Sequence, residues 1–163
     1  MEIKKIFDIL NQYNVKYLVC GGLAVNIYGI PRMTADIDLL LDFEETNILN
    51  FENAIKYLLF QSVIPLSINT FVKKEERLKA IKEKNLIAYS YFNSQVGFMN
   101  LDILLDEPIE FDILWKNKSE RVLGETKIQL VSVEDLIELK KYANRIQDQN
   151  DVILLSKILK NGN

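Results

Sequence analysis

Apolar residues recur along this chain with two periods, and the switches between them mark out its elements. Ile3, Ile6, Phe7 and Leu10 fall at helical spacing with Lys4, Lys5 and Asp8 turned outward, which predicts an amphipathic helix over residues 2–12, ended at Asn14. Residues 15–20 (VKYLVC) read as a strand, and Gly21-Gly22 turns it into a short helix over about residues 23–28. Pro31 keeps that helix from running into the next strand, DIDLLL from Asp36. A further helix begins near Thr46 or Asn50 and closes near Phe60, with Phe51, Ala54, Ile55, Leu58 and Leu59 facing inward.

Periodicity fades around Pro65, so residues 61–71 read as a loop and a candidate rim of a substrate cleft. Residues 72–84 predict a solvated helix anchored by Leu78 and Ile81, its lysines interleaved with Glu75, Glu76 and Glu83. The run LIAYSYF (86–92) reads as a strand, residues 93–97 as a hairpin turn, and residues 98–105 as the partner strand. A short helix over 109–117 packs Trp115 on the sheet, and residues 127–131 form another strand. Ser132 caps the helix that follows, with Asp135 completing a capping box and Val131 and Leu136 a hydrophobic staple. Asp148 and Asp151 have capping-box spacing before a last helix built on Val152, Leu155, Ile158 and Leu159. The mixture predicts one α/β (α+β) domain over residues 1–163, a mixed and mainly antiparallel sheet flanked by helices.

Composition narrows the chemistry. The 163 residues are 48% hydrophobic, enough for a core, and 20 basic against 23 acidic residues leave no global field toward nucleic acid or membrane. No histidine is present, which excludes a Ser-His-Asp triad, a histidine base and a His-ligated zinc site, so acid-base work falls to carboxylates. Cys20 reads as a small buried hydrophobe in a reducing compartment. No apolar run is long enough to span a bilayer, and Met-Glu-Ile-Lys-Lys holds no signal core, so a cytoplasmic protein is expected.

The carboxylates that matter lie on strands. Alternation puts Asp36 and Asp38 on one face of their strand and Ile37, Leu39 and Leu41 on the other. Two like charges spaced about 6 to 7 Å along a strand repel, and a bound dication removes that penalty. Oxygen ligands suit Mg²⁺ or Mn²⁺, as in two-metal phosphoryl and nucleotidyl transfer. Asp102 repeats the pattern among Leu101, Ile103 and Leu105, so three carboxylates meet on one face if its strand lies beside that of Asp36. A strand-glycine-helix junction at Gly21 and Gly22 leaves N–H groups free for phosphate, and Arg32 and Thr34 stand between that junction and the carboxylates. Spacing also carries Lys140 toward the protein body.

The stretch GGLAVNIYGIPRMTADIDL, Gly21 to Leu39, resembles the signature of the nucleotidyltransferase superfamily that shares the DNA polymerase beta catalytic fold, most closely its small single-domain prokaryotic members. Weaker matches near Asp102 and over residues 131–151 extend the resemblance across most of the chain. It implies transfer of a nucleoside monophosphate from an NTP to an acceptor hydroxyl, with Asp36, Asp38 and Asp102 as catalytic metal ligands for Mg²⁺ or Mn²⁺. Asp102 best matches the family's third acidic position, for which Asp106 and Asp112 are competitors, and would also accept the acceptor's proton. Gly21, Gly22, Arg32 and Thr34 would hold phosphates, as would Lys140 of a Lys-x4-Arg-x2-Asp segment with Arg145 and Asp148. Where the wider superfamily often has Gly-Ser, this chain has Gly21-Gly22. The acceptor could be RNA, a protein side chain as in toxin-antitoxin control, or a small antibiotic-like molecule, and a homodimer or partner chain could complete the cleft. The rival expectation is a catalytically silent binding module, half of a toxin-antitoxin pair.

Overall fold

The computed structural model describes residues 3–93 and 100–161. The proposed turn therefore lies outside the described residues except at Asn93, as do Phe98 and Met99 of its partner strand.

The elements follow in the order α1 (Ile3–Gln12), β1 (Tyr17–Val19), α2 (Gly21–Ile27), β2 (Asp36–Leu41), α3 (Glu45–Tyr57) and β3 (Gln61–Ser62). A 3-10 turn (Ile68–Val72) leads into α4 (Lys74–Lys84), β4 (Ala88–Phe92), β5 (Asn100–Leu104) and α5 (Phe111–Asn117). Last come β6 (Ser119–Leu123), β7 (Thr126–Leu130), α6 (Val133–Ala143) and α7 (Ile146–Asn161).

Among the described residues the strands form one sheet in the order β3-β4-β5-β2-β1-β7-β6, with β2 at its centre. The β2–β5 and β1–β7 pairs are parallel and the other neighbours antiparallel, the mixed sheet expected of a polymerase-beta-like α/β fold. Register divides the faces. Tyr17, Val19, Ile37, Leu39, Leu101, Ile103, Tyr89 and Tyr91 share one face, all of them buried. Helix α3 covers that face, with Phe51 edge-on to Tyr91 at 5.7 Å, and α1 joins it by stacking Phe7 on Tyr17 at 5.6 Å. Asp36, Asp38, Ser90 and Asp102 share the opposite face, where α2 packs on β2.

Several sequence expectations need correction. Residues 61–71 do border a cavity, lined by Gln61, Ser62, Leu66 and Ser67 with Tyr89 and Tyr91, but on the face opposite the carboxylates, where the Tyr89 hydroxyl donates to the Leu66 carbonyl and holds the segment. Its first residues form β3, too short to carry a periodic signal. Strand β6 was also hidden, since four of its five residues are exposed and show no alternation. Leu59 faces solvent in a left-handed conformation (φ 59°) just after α3. In α4 the anchor is Arg77, not Leu78, which is 56% exposed. The Arg77 guanidinium lies 4.2 Å from the Phe43 ring centroid and donates to the Phe71 carbonyl at 2.7 Å, so its charge is buried with partners.

Beside it, Arg77 Nη2 stands 3.7 Å from Oε2 of Glu107, whose Oε1 is buried without a partner. Burial pushes the Glu107 carboxyl up to about 7, against the pull of Arg77. The folded state thus binds this proton more tightly than the unfolded chain does, and stability falls as pH rises from the ordinary glutamate range through about 7. Glu107→Gln is expected to remove that slope and to gain about 1 to 3 kcal/mol over the wild type at pH 8 relative to pH 5. Denaturation at the two pH values checks it, and parallel slopes for both proteins would refute it. Among the described residues no helix is long and apolar enough to cross a membrane.

Candidate active site

The site is built where β1 hands over to α2 against the start of β2. Cys20, the residue before α2, donates its backbone N–H to the Asp38 carbonyl at 2.9 Å. The helix begins at Gly21 itself, two residues earlier than periodicity suggests, since glycines contribute no apolar pattern. Gly21 sits at φ +59°, and a Cβ there would overlap the Asp38 carboxylate. Gly22 donates its N–H to Asp38 Oδ2 at 3.4 Å, so this donor faces a carboxylate in the free protein. A Cβ on Gly22 would stand 2.7 Å from the Thr34 hydroxyl and 3.1 Å from Arg32 Cζ. Close packing of Thr34 and Arg32 over the helix start therefore requires the second glycine of this chain.

Gly21→Ala is expected to cost about 1 to 2 kcal/mol from the left-handed backbone alone. It must also displace Asp38 to make room. A denaturation midpoint unchanged from wild type would contradict the packing.

Strand register supplies the third carboxylate. Asp38 pairs with Asp102 and Asp36 with Asn100 across the parallel β2–β5 ladder, so Asp38 and Asp102 lie on neighbouring strands about 4.8 Å apart at the backbone. Burial raises the Asp38 carboxyl above its ordinary range, and Asp36 adds to this while the Gly22 N–H opposes it. Burial likewise raises Asp102, with Asp38 and Asp36 adding to it and a hydrogen bond from Ser90 pulling the other way. Asp102 Oδ1 is buried with no partner. The competitors lie elsewhere: Asp106 accepts from the Tyr142 hydroxyl at 3.0 Å, and Asp112 is on α5.

A divalent oxygen-seeking cation fits this donor set, which is all carboxylate, mutually repelling, and includes an orphaned oxygen. Among the described residues no group of three or more acidic, histidine or cysteine side chains forms a ready-made metal cage. Mg²⁺ is ordinarily bound by one or two carboxylates plus substrate phosphates, so a cage is not required.

Lys140 is carried inward as its spacing predicts and is 4% exposed, but its partners are carboxylates. Its Nζ lies 3.0 Å from Asp148 Oδ1 and 2.8 Å from Asp151 Oδ2. Arg32 Nη1 meets the same Asp151 oxygen at 2.6 Å. Asp148 caps α7, though from the opposite role to the one expected. Arg145 precedes the helix, and Asp148 reaches back to accept the Arg145 N–H at 3.2 Å and its Nε at 2.7 Å. Burial alone would raise Asp148, but hydrogen bonds from Arg145 and Lys140 hold it below the usual carboxylate range. Ser132 caps α6 as expected, accepting from the Asp135 N–H at 3.1 Å.

Sequence reasoning missed Ser90 and Asp151 as members of this neighbourhood. Ser90 carried a signal, a lone small polar residue between Tyr89 and Tyr91 on an otherwise apolar strand. Asp151 carried none beyond capping-box spacing, because its partners are remote in sequence.

Known structures share the arrangement of elements. ANT(2'')-Ia, crystallised in complex with adenylyl-2''-tobramycin, aligns over 96% of this chain and 87% of its own at 17% identity, with a TM-score of 0.61. The lincosamide antibiotic adenylyltransferase LnuA, with lincomycin bound, aligns over 97% of this chain and 98% of its own at 18% identity and a TM-score of 0.59. An antigenic nucleotidyltransferase-like protein from Paracoccidioides brasiliensis aligns over 96% and 74% at 16% identity and a TM-score of 0.64. At these identities the likeness establishes the fold. No curated protein sequence matches the chain. The family model described as "Nucleotidyl transferase AbiEii toxin, Type IV TA system" matches residues 7–151, and the chain belongs to that nucleotidyltransferase family.

Proposed function

We propose that this protein is a metal-dependent nucleotidyltransferase that moves a nucleoside monophosphate from an NTP to an acceptor hydroxyl. The observation that carries the reading is the Asp38–Asp102 pair across β2 and β5, with Asp36 on the same face and glycine backbone against the Asp38 carboxyl. Asp102, with a raised carboxyl and an oxygen free of partners, accepts the proton of the attacking hydroxyl. The acceptor oxygen bonds to the α-phosphorus, the bridge to the β-phosphate breaks, and pyrophosphate leaves. Mg²⁺ or Mn²⁺, held by Asp36, Asp38 and Asp102 together with substrate phosphates, would supply neutralisation of the charge that develops on the transferred and leaving groups. Gly21, Gly22, Arg32, Thr34 and Lys140 line the phosphate side. Arg32 keeps guanidinium donors beyond Nη1 for a phosphate, and Lys140 keeps one ammonium donor beyond its two carboxylate contacts.

The adenylyl-tobramycin complex of ANT(2'')-Ia supports a hydroxyl acceptor, and the family's toxin description supports a place in a toxin-antitoxin pair. Incubation with α-labelled NTPs, Mg²⁺ and host RNA or protein tests the proposal: label is expected to transfer only with divalent metal present. Absence of both label transfer and nucleotide-dependent stabilisation would favour a nucleotidyltransferase-fold binding module instead.

A further inference from the structure

Arg32 lies in the segment between α2 and β2, which has no regular secondary structure, and the contacts that fix it are few. Its backbone N–H donates to Asn26 Oδ1 at 2.8 Å, its Nε donates to the Met33 carbonyl at 3.4 Å, and its guanidinium has Asp151 as its one ion-pair partner among the described residues. Asp151 is 4% exposed and stands in the second turn of α7, a helix that begins well over a hundred residues later in the chain. The guanidinium carbon lies 3.1 Å from the Cβ position of Gly22, so the side chain is pinned from behind by Asp151 and faces the start of α2. Lys140 does not depend on Asp151 in the same way, because Asp148 remains as its second partner. The cluster of Arg32, Lys140, Arg145, Asp148 and Asp151 carries three cations against two carboxylates, an excess of positive charge beside Asp38 that suits a polyphosphate.

We infer that Asp151 is a positioning residue for nucleotide binding: by holding Nη1 of Arg32 it aims the Nη2 N–H groups at the NTP phosphates and ties the order of the phosphate-binding loop to the docking of α7. An arginine whose fork is fixed before the ligand arrives loses less rotamer freedom on binding. The inference rests on the nucleotidyltransferase reading, because it needs phosphates on the α2 side of Arg32.

Calorimetric titration of the full chain with each of Mg²⁺–ATP, GTP, CTP and UTP tests it, using the tightest binder. Asp151→Asn is expected to weaken that binding by about tenfold or more. Ser132→Ala, which removes the α6 cap but leaves Arg32 and Lys140 paired, is expected to weaken it by no more than about twofold even where it lowers the melting temperature. Arg32→Ala should weaken binding as Asp151→Asn does, and the double variant should bind no more than about twofold worse than Arg32→Ala alone, since Asp151 acts through Arg32. Affinity unchanged in Asp151→Asn, or additive losses in the double variant, would overturn the inference. If Asp151→Asn does not fold, Asp151→Glu keeps the charge while displacing it and should weaken binding about threefold or more, and unchanged affinity there also overturns it. Wild-type protein that binds none of the four nucleotides would defeat the nucleotidyltransferase reading itself.

Discussion

Asp38→Asn is expected to lower nucleotidyl transfer by about 10²- to 10³-fold or more while leaving the metal-free protein as stable as wild type or more so. Most buried carboxylates accept hydrogen bonds that repay their burial, and removing them unfolds the protein. Asp38 differs, because burial disfavours its charge, Asp36 on the same strand face disfavours it further, and the compensating Gly22 N–H stands at 3.4 Å. Its folded pKa is raised, so the charged group contributes least favourably above the ordinary aspartate range, and stability declines as pH rises through the raised value. An isosteric amide removes the charge and can still accept from Gly22. Melting temperatures from pH 3 to pH 8 should therefore rise less steeply toward acid in the variant. Added Mg²⁺ with NTP should stabilise the wild type alone. A large loss of stability without metal would make Asp38 a structural hydrogen-bond acceptor and remove the main physical argument for a cation at this site.

Lys140→Met is expected to cost about 3 to 5 kcal/mol, the largest stability loss among the substitutions considered. Its ammonium is the group shared by two carboxylates that are themselves almost wholly buried, Asp148 at 1% and Asp151 at 4% exposure. Removing the lysine leaves both carboxylates with only an arginine each, in a setting where an uncompensated charge is costly. The pH dependence has a definite sign. In the wild type Asp148 is held below its ordinary range, so its contribution is present above that range and lost as pH falls through the depressed value. In Lys140→Met that contribution shrinks, so the deficit against wild type should be larger at pH 7 than at about pH 2, below the ordinary aspartate range. Adding Asp148→Asn to the Lys140→Met variant should recover part of the loss, because the orphaned charge is gone. Urea denaturation of the three proteins checks this, and a loss under about 1 kcal/mol for Lys140→Met would mean that the cluster is hydrated rather than buried.

The carboxylate face was legible in the sequence because strand alternation is a local property. Asp36 and Asp38 among Ile37, Leu39 and Leu41, and Asp102 among Leu101 and Ile103, each declare a face without any knowledge of the partner strand. That β2 and β5 are neighbours in parallel register, setting Asp38 beside Asp102, is a long-range fact which no local period encodes. The same distinction governs the glycine junction and Lys140. Gly21 and Gly22 announce a tight junction, yet the reason both must be glycine, an Asp38 carboxylate against one and Thr34 against the other, is tertiary. Lys140 was readable as inward-facing from helical spacing, whereas its anchorage to Asp148 and Asp151 depends on how α7 folds back on α6. Arg77 misled for a related reason, since an arginine in a charged helix looks solvated unless the Phe43 ring and Phe71 carbonyl that receive it are known.

The central claim, that Asp36, Asp38 and Asp102 form a metal-dependent nucleotidyl-transfer site with the glycine junction at their side, is tested most directly by a crystal structure with Mn²⁺ and a non-hydrolysable NTP. Anomalous density is expected within about 2 Å of carboxylate oxygens of Asp36 and Asp38, with Asp102 reaching the same metal site and the phosphates lying between Gly21-Gly22 and Arg32. Manganese bound away from these carboxylates, or a nucleotide whose phosphates avoid the start of α2, would contradict it.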